Sequence, residues 1–324
     1  MIKFFKSEQN DIKKLDAYED GCWVDLINPS DDEVEDVSTL TGIAEETLKS
    51  ALDEEESARM ERDGNTVLCL LDTPTITDGE EGDTYETIPM ALIYNEKCLV
   101  TVSLRGNPVL GDFIASRVEV DPAQPLLFIL RFMMGNAKRF LSNLRQIDKK
   151  SLRVQAELHR SMKNKELIEM LSLENSLVYF STALSANLNV YSRFERLIAS
   201  SEEYKELYDD VVIETKQAVE MCNIYRDILS GTMDAYASVI SNNVNIVMKL
   251  LTVITMIISI PTLIASLWGM NVSVPFGEGD WGFWIVLAIA VAVTAVVSFF
   301  LIRATNSIKI KTHRQSKRKR RKGE

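Results

Sequence analysis

The chain has 324 residues, with 36 Lys and Arg against 47 Asp and Glu, for a formal net charge of −11. That length suffices for a soluble domain plus a membrane part. Cys22, Cys69, Cys98 and Cys222 are scattered without a C-x-x-C pair, and no nucleotide loop, nucleophile pair or catalytic metal cluster stands out; inert, reduced thiols and a protein that is neither an enzyme nor dependent on a catalytic cofactor are expected.

The start, Met1-Ile2-Lys3-Phe4-Phe5, runs into Lys, Ser, Glu and Gln rather than an apolar core, so no signal peptide is predicted. Residues 1–120 read as an α/β domain. Short β-rich runs occupy Ile2 to Phe5, Cys22 to Ile27, Val67 to Leu71, Ile88 to Tyr94 and Cys98 to Ser103, with Asn95-Glu96-Lys97 as a hairpin joining the last two. Ser30-Asp31-Asp32-Glu33 has the spacing of a capping box. Ala44 to Glu54 predicts a second helix. Acidic clusters at residues 31–36, 53–56 and 80–83 are read mainly as solvated surface.

From Pro125 the pattern turns helical. Residues 121–201 form a helical region and 202–246 a stalk helix, on which Leu207, Val211, Ala218, Met221, Tyr225, Leu229, Tyr236 and Ile240 recur mostly every third or fourth residue. The pattern predicts one helix from Glu202 into the first apolar run, about 100 Å long. That run, Leu250 to Leu267, and a second, Trp281 to Ile302, each approach the ~20 residues that cross a hydrocarbon core. The predicted spans are 247–271 and 281–303, joined by a loop at 272–280 and followed by a basic tail at 304–324. The tail carries many Lys and Arg and the loop none, which predicts both termini in the cytoplasm and the loop outside. Lys317 to Lys322 are therefore read as a topology signal, and no nucleic-acid partner is expected.

Thr252, Thr255, Ser259, Thr262 and Ser266 follow one another at steps of three or four within the first span and share one face. Asn245, Met248 and Leu251 extend that face toward the cytoplasm. Two explanations compete: close helix packing through small hydroxyl residues, or a wall in contact with water. Five in register, ending at Gly269 and Asn271, favour the wall. One two-span protomer cannot enclose a pore, so that reading requires an oligomer with the first spans innermost. The stripe holds no carboxylate, and the two histidines, His159 and His313, lie outside it. Neutral oxygens suit a hydrated Mg²⁺, which releases its waters reluctantly; a naked transition-metal site favours His or Cys. Glu278 and Asp280 in the loop either concentrate cations or are simply solvated.

Trp268-Gly269-Met270-Asn271 at the end of the first of two C-terminal spans, with Asn243 to Thr252, Pro261 to Ser266 and Trp23-Val24-Asp25-Leu26-Ile27-Asn28-Pro29, resembles the CorA family of divalent-cation channels. The usual aromatic before Gly-Met-Asn is Tyr, and here it is Trp268. The resemblance covers nearly the whole chain. It implies an α+β cytoplasmic domain, a mixed sheet with flanking helices, that leads into the stalk and two membrane helices of a funnel-shaped homopentamer in the cytoplasmic membrane. It implies Gly269, Met270 and Asn271 as selectivity filter and an apolar gate at Met248 and Leu251, for which ordinary packing is the alternative. It also implies Mg²⁺ as both transported ion and regulatory ligand, with Co²⁺ and Ni²⁺ as further cargoes and stalk carboxylates as sensors. Asp209 and Asp210, with Glu206 beside them, are the best matches for that role. Two rivals are a zinc transporter on the same scaffold, which Met270 disfavours, and a membrane-anchored signalling protein whose spans only dimerise.

Overall fold

The computed structural model describes the chain apart from residues 9–10, 80–81, 162–163, 200, 271–280 and 321–324. It divides into two compact units, Met1–Met233 and Asp234–Glu324.

The first unit is built on a seven-stranded mixed sheet with strand order β2-β1-β3-β7-β6-β5-β4. The strands are β1 (Ile2–Glu8), β2 (Asp11–Leu15), β3 (Trp23–Ile27), β4 (Arg59–Asp63), β5 (Thr66–Gly79), β6 (Gly82–Tyr94) and β7 (Leu99–Ser103). Only β3 and β7 run parallel. These central strands are buried on both faces, and the alternation of side chains sends each residue to one of two cores. On one side Trp23, Leu99, Cys69, Leu71, Met90 and Leu92 pack with Phe113, Phe128, Phe132, Tyr191 and Phe194 from the long helices. On the other, Val24, Leu26, Val100, Val102, Leu68 and Leu70 pack with Val34, Val37 and Leu48.

Helices α1 (Asp31–Thr41) and α2 (Glu45–Lys49) cover that second face. The α1 start is the expected capping box: Ser30 accepts from the Glu33 amide and Glu33 reaches back to Ser30. Helix α2 is shorter than the sequence suggested. It stops at Lys49, ahead of the acidic run Asp53 to Glu56, whose four like charges favour separation in water over one helical turn. The hairpin at 95–97 forms as expected, with Asn95 Oδ1 accepting from the amides of Lys97 and Cys98.

Helices α3 (Pro108–Ile114), α4 (Pro125–Ser161), α5 (Asn164–Ile198) and the start of α6 (Glu202–Trp268) supply the first core. Gly135 in α4 is needed for the approach of α3: a Cβ there would stand 2.5 Å from Val109 Cγ1.

The Trp-x-Asp of the N-terminal motif is structural. Asp25 is buried, accepts from Thr101 Oγ1 at 2.8 Å, and that hydroxyl in turn accepts from Trp23 Nε1 at 2.8 Å. The chain of bonds ties β3 to β7. Burial pushes the Asp25 carboxyl up, against the opposing bond from Thr101.

β5 and β6 outrun their neighbours. They pair from Val67↔Tyr94 to Gly79↔Gly82, whereas β4 meets β5 only as far as Leu70 and β7 meets β6 only from Met90. At Asp72 the place of the missing strand is taken by side chains. Asn187 Oδ1 accepts from the Asp72 amide at 2.9 Å, and Asn187 Nδ2 and Asn136 Nδ2 each donate to its carbonyl at 2.9 Å. Asp72 thus turns its backbone polar groups away from β6, and its partner Pro89 turns away from β5.

The second unit holds the rest of α6 and α7 (Gly282–Arg320). Within them, α6 and the stretch Gly282–Leu301 contain windows apolar and long enough to cross a membrane, with 0% and 6% of those windows buried in the protein. The sequence expectation of one uninterrupted helix from Glu202 into the first apolar run is met.

Candidate functional site

Every residue from Ser241 to Met270 is at least partly exposed in the single chain. The less exposed positions in the apolar part are Val253, Ile257, Ile260, Pro261, Ile264 and Trp268. At about 100° per residue they form one strip, and the hydroxyl stripe lies on the opposite side of the helix. On α7 the least exposed positions are Gly282, Val286, Ala290, Thr294, Val297, Ser298 and Leu301. The two polar residues of that span, Thr294 and Ser298, fall on this strip, while Phe283, Trp284, Val291, Val296, Phe299 and Phe300 stand exposed around it. An apolar surface of this extent is covered by lipid or by other copies.

The hydroxyls share one arrangement. Thr252 Oγ1 donates to Met248 O at 2.8 Å, Thr255 Oγ1 to Leu251 O at 2.8 Å, Ser259 Oγ to Thr255 O at 2.7 Å and Thr262 Oγ1 to Ile258 O at 2.8 Å. A hydroxyl has one proton to give and two lone pairs. With the proton given to the backbone, each of the four presents only acceptor capacity outward. The stripe is thus a row of partial negative charge without an ionised group.

Pro261 lies inside α6 and has no amide hydrogen, so the Ile257 carbonyl lacks its helical donor. Sequence reading placed the hydroxyls but not their proton direction, and it missed this carbonyl, for which Pro261 was the available signal.

Asn245, Met248 and Leu251 are exposed, the latter two each at 57%. Ser266 is also exposed. Gly269 follows the last helical residue, its amide bonded to Ala265 O at 2.9 Å; a Cβ there would meet that same carbonyl at 3.3 Å. Met270 is 53% exposed. Asn271, Glu278 and Asp280 lie outside the described residues. On the stalk, Asp209 and Asp210 are exposed, immediately between the buried Tyr208 and Val211. Among the described residues of one chain, no group of three or more His, Cys, Asp or Glu is placed to hold a metal ion; a metal at Asp209 and Asp210 would need ligands from elsewhere.

All four cysteines are free and buried. Burial pushes the thiols of Cys69 and Cys222 up to about 12 and that of Cys98 to about 11, far from the thiolate form.

A family profile described as "CorA-like Mg2+ transporter protein" matches residues 18–303. The "Cobalt/magnesium transport protein CorA" of Methanocaldococcus jannaschii is 26% identical over 290 residues, which is 87% of this chain and 90% of that protein. The complete structure of the CorA magnesium transporter from the same organism superposes with a TM-score of 0.78 at 24% identity, covering 94% of this chain and 97% of that one. The ZntB cytoplasmic domain from Vibrio parahaemolyticus shares the fold more distantly, with a TM-score of 0.55 at 10% identity over 75% of this chain and 97% of that one. With the profile spanning both the mixed-sheet unit and the two apolar helices, this chain belongs to the family of CorA-like Mg²⁺ transporter proteins.

Proposed function

We propose that this protein is a homopentameric channel that carries hydrated divalent cations, chiefly Mg²⁺, across the cytoplasmic membrane, with both termini in the cytoplasm. Co²⁺ and Ni²⁺ are further cargoes of suitable size and charge. The observation that carries this reading is the acceptor-only stripe on α6, opposite its less exposed strip and ending at Gly269-Met270. A hydrated cation turns water hydrogens outward, and a hydrated anion turns lone pairs outward. Acceptors therefore favour the first over the second. Mg²⁺ holds its inner waters at about 2.0–2.1 Å and sheds them slowly, so hydrogen bonding to the hydrated ion avoids the cost of stripping it. In the ring, the Asn271 carboxamides form the outer filter with Gly269 and Met270, and Met248 with Leu251 makes an apolar constriction that closes by dewetting. Glu278 and Asp280 raise the cation concentration at the entrance.

Purified protein in proteoliposomes should pass Mg²⁺ down its gradient, with Zn²⁺ and Cl⁻ as comparison ions. Absence of Mg²⁺ flux from correctly inserted protein would remove the proposal. Single cysteines at Thr255, Ser259, Thr262 and Ser266 should react with small hydrophilic thiol reagents at least about tenfold faster than cysteines at Val253, Ile257 and Ile264 on the opposite strip, because the thiolate forms in water and not in lipid. The opposite ranking would place the water path on another face.

Regulation follows from the same cargo. Asp209 and Asp210 are proposed to bind cytoplasmic Mg²⁺ with a carboxylate of a neighbouring subunit and so hold the closed state. Such a ligand shifts gating only through its different affinity for the two states. In patches exposed to stepped cytoplasmic Mg²⁺, Asp209→Asn with Asp210→Asn should move the inhibition curve to at least about tenfold higher Mg²⁺, the weight of about 1.4 kcal/mol in lost binding. An unchanged curve would exclude both residues from sensing.

A further inference from the structure

The first unit contains a cavity of about 390 Å³ that the transport reading does not use. Its apolar side is formed by Val109 and Phe113 of α3, Met134 of α4 and Leu207 of α6. Arg131, Lys138 and Arg139 line it from α4. Spacings of seven and eight residues put these three on one helix face. The single lining carboxylate is Asp112, and it is already engaged: it accepts from Arg117 at 2.8 Å and from Arg139 at 3.3 Å. Arg131 and Lys138 have no ion pair or hydrogen bond among the described residues, and Arg131 is half-buried.

Lys138 and Arg139 are exposed and Arg131 is half-buried, and all three line one concave site against an apolar wall. Gly135 lines the site where α3 settles on α4. Its volume falls within the ~300–1,000 Å³ usual for small-molecule sites. Three cations against one committed carboxylate leave an excess of two positive charges. A single carboxylate would not balance it, and a phosphate or diphosphate ester would, with Arg131 able to grip two oxygens at once. The apolar wall takes a flat ring at the other end.

We infer that this cavity is a binding site for a phosphate ester with an apolar ring-bearing body, of the nucleoside diphosphate class. It would place a small-molecule site on the cytoplasmic unit, separate from the hydroxyl stripe.

Calorimetric titration of the full-length protein in detergent, without Mg²⁺, tests this with the sodium salt of ADP as probe and inorganic phosphate and adenosine alongside. ADP should bind, and more tightly than either fragment. Arg131→Met with Lys138→Met should weaken ADP at least about tenfold, the loss expected for one charge-assisted bond or more. Asp112→Asn should tighten it, because Arg139 is released and a negative charge removed; this variant decides the matter if the double variant does not fold. No binding of ADP, equal binding of phosphate and ADP, or ADP affinity unchanged in Asp112→Asn and in a folded double variant would each overturn the inference.

Discussion

An Asn271→Ala protein is expected to assemble as the parent does and to carry almost no Mg²⁺. Asn271 completes the Gly-Met-Asn that follows α6, immediately beyond the exposed Met270. In the proposed ring of five, its carboxamide oxygens accept hydrogen bonds from the waters of an arriving ion. At about 1 kcal/mol for each bond, loss of five weakens the site by more than about three decades. Position 271 lies beyond the last residue of α6, so size-exclusion behaviour should be unchanged. Uptake into proteoliposomes, followed with an internal Mg²⁺ indicator, measures the effect. Flux within about twofold of the parent would show that selection happens elsewhere, with the acceptor stripe inside α6 as the next place to look.

Asp72→Asn is expected to stabilise the first unit at neutral and alkaline pH and to have no effect in acid. The Asp72 backbone is held by Asn136 and Asn187, but among the described residues its carboxylate has no hydrogen bond or ion pair to offset desolvation, and burial raises it from 3.8 to about 6. The folded chain therefore keeps its proton to higher pH than the unfolded chain does. Below about pH 4 both states are protonated and the group costs nothing; as pH rises through about 6, the folded chain must bury a charge. A displacement of about two pH units corresponds to about 2–3 kcal/mol, and the partial exposure of this side chain lowers that figure toward about 1–2 kcal/mol. In a domain of this size the midpoint of thermal unfolding should rise by about 5 °C at pH 8. The gain should close as pH falls to 4. A gain of equal size at both pH values would assign the effect to packing instead.

The parts of this molecule that were legible in its sequence are those set by local rules. Ser30 and Glu33 meet because three residues of helix bring them together. The hydroxyl stripe is a matter of helical period, and the long helix announced itself through an unbroken apolar face. β2 and β4 were missed because they lie at the sheet edges, where Asp-Ile-Lys-Lys-Leu and Arg-Met-Glu-Arg-Asp keep charges in water and show no β-rich run. The far halves of β5 and β6 were missed because Pro74, Gly79 and Gly82 read as breakers. The cavity was invisible, since Val109, Arg131 and Leu207 come together only through the packing of three helices. The direction of the hydroxyl protons depends on side-chain rotamers, which no spacing specifies.

The overhanging β5–β6 ribbon has a bearing on how copies of this chain meet. A bare strand edge is a template: any extended segment with free amides can extend the sheet, without limit on number. Here the template is spoiled on both sides. The Asp72 amide and carbonyl are occupied by Asn187 and Asn136. Pro74, two residues on and turned the same way, has no hydrogen to offer, and Pro89 is equally silent on the opposite edge. An incoming strand would find one lost rung on the β6 side and two on the β5 side. Sheet-to-sheet polymerisation through this ribbon is thereby discouraged.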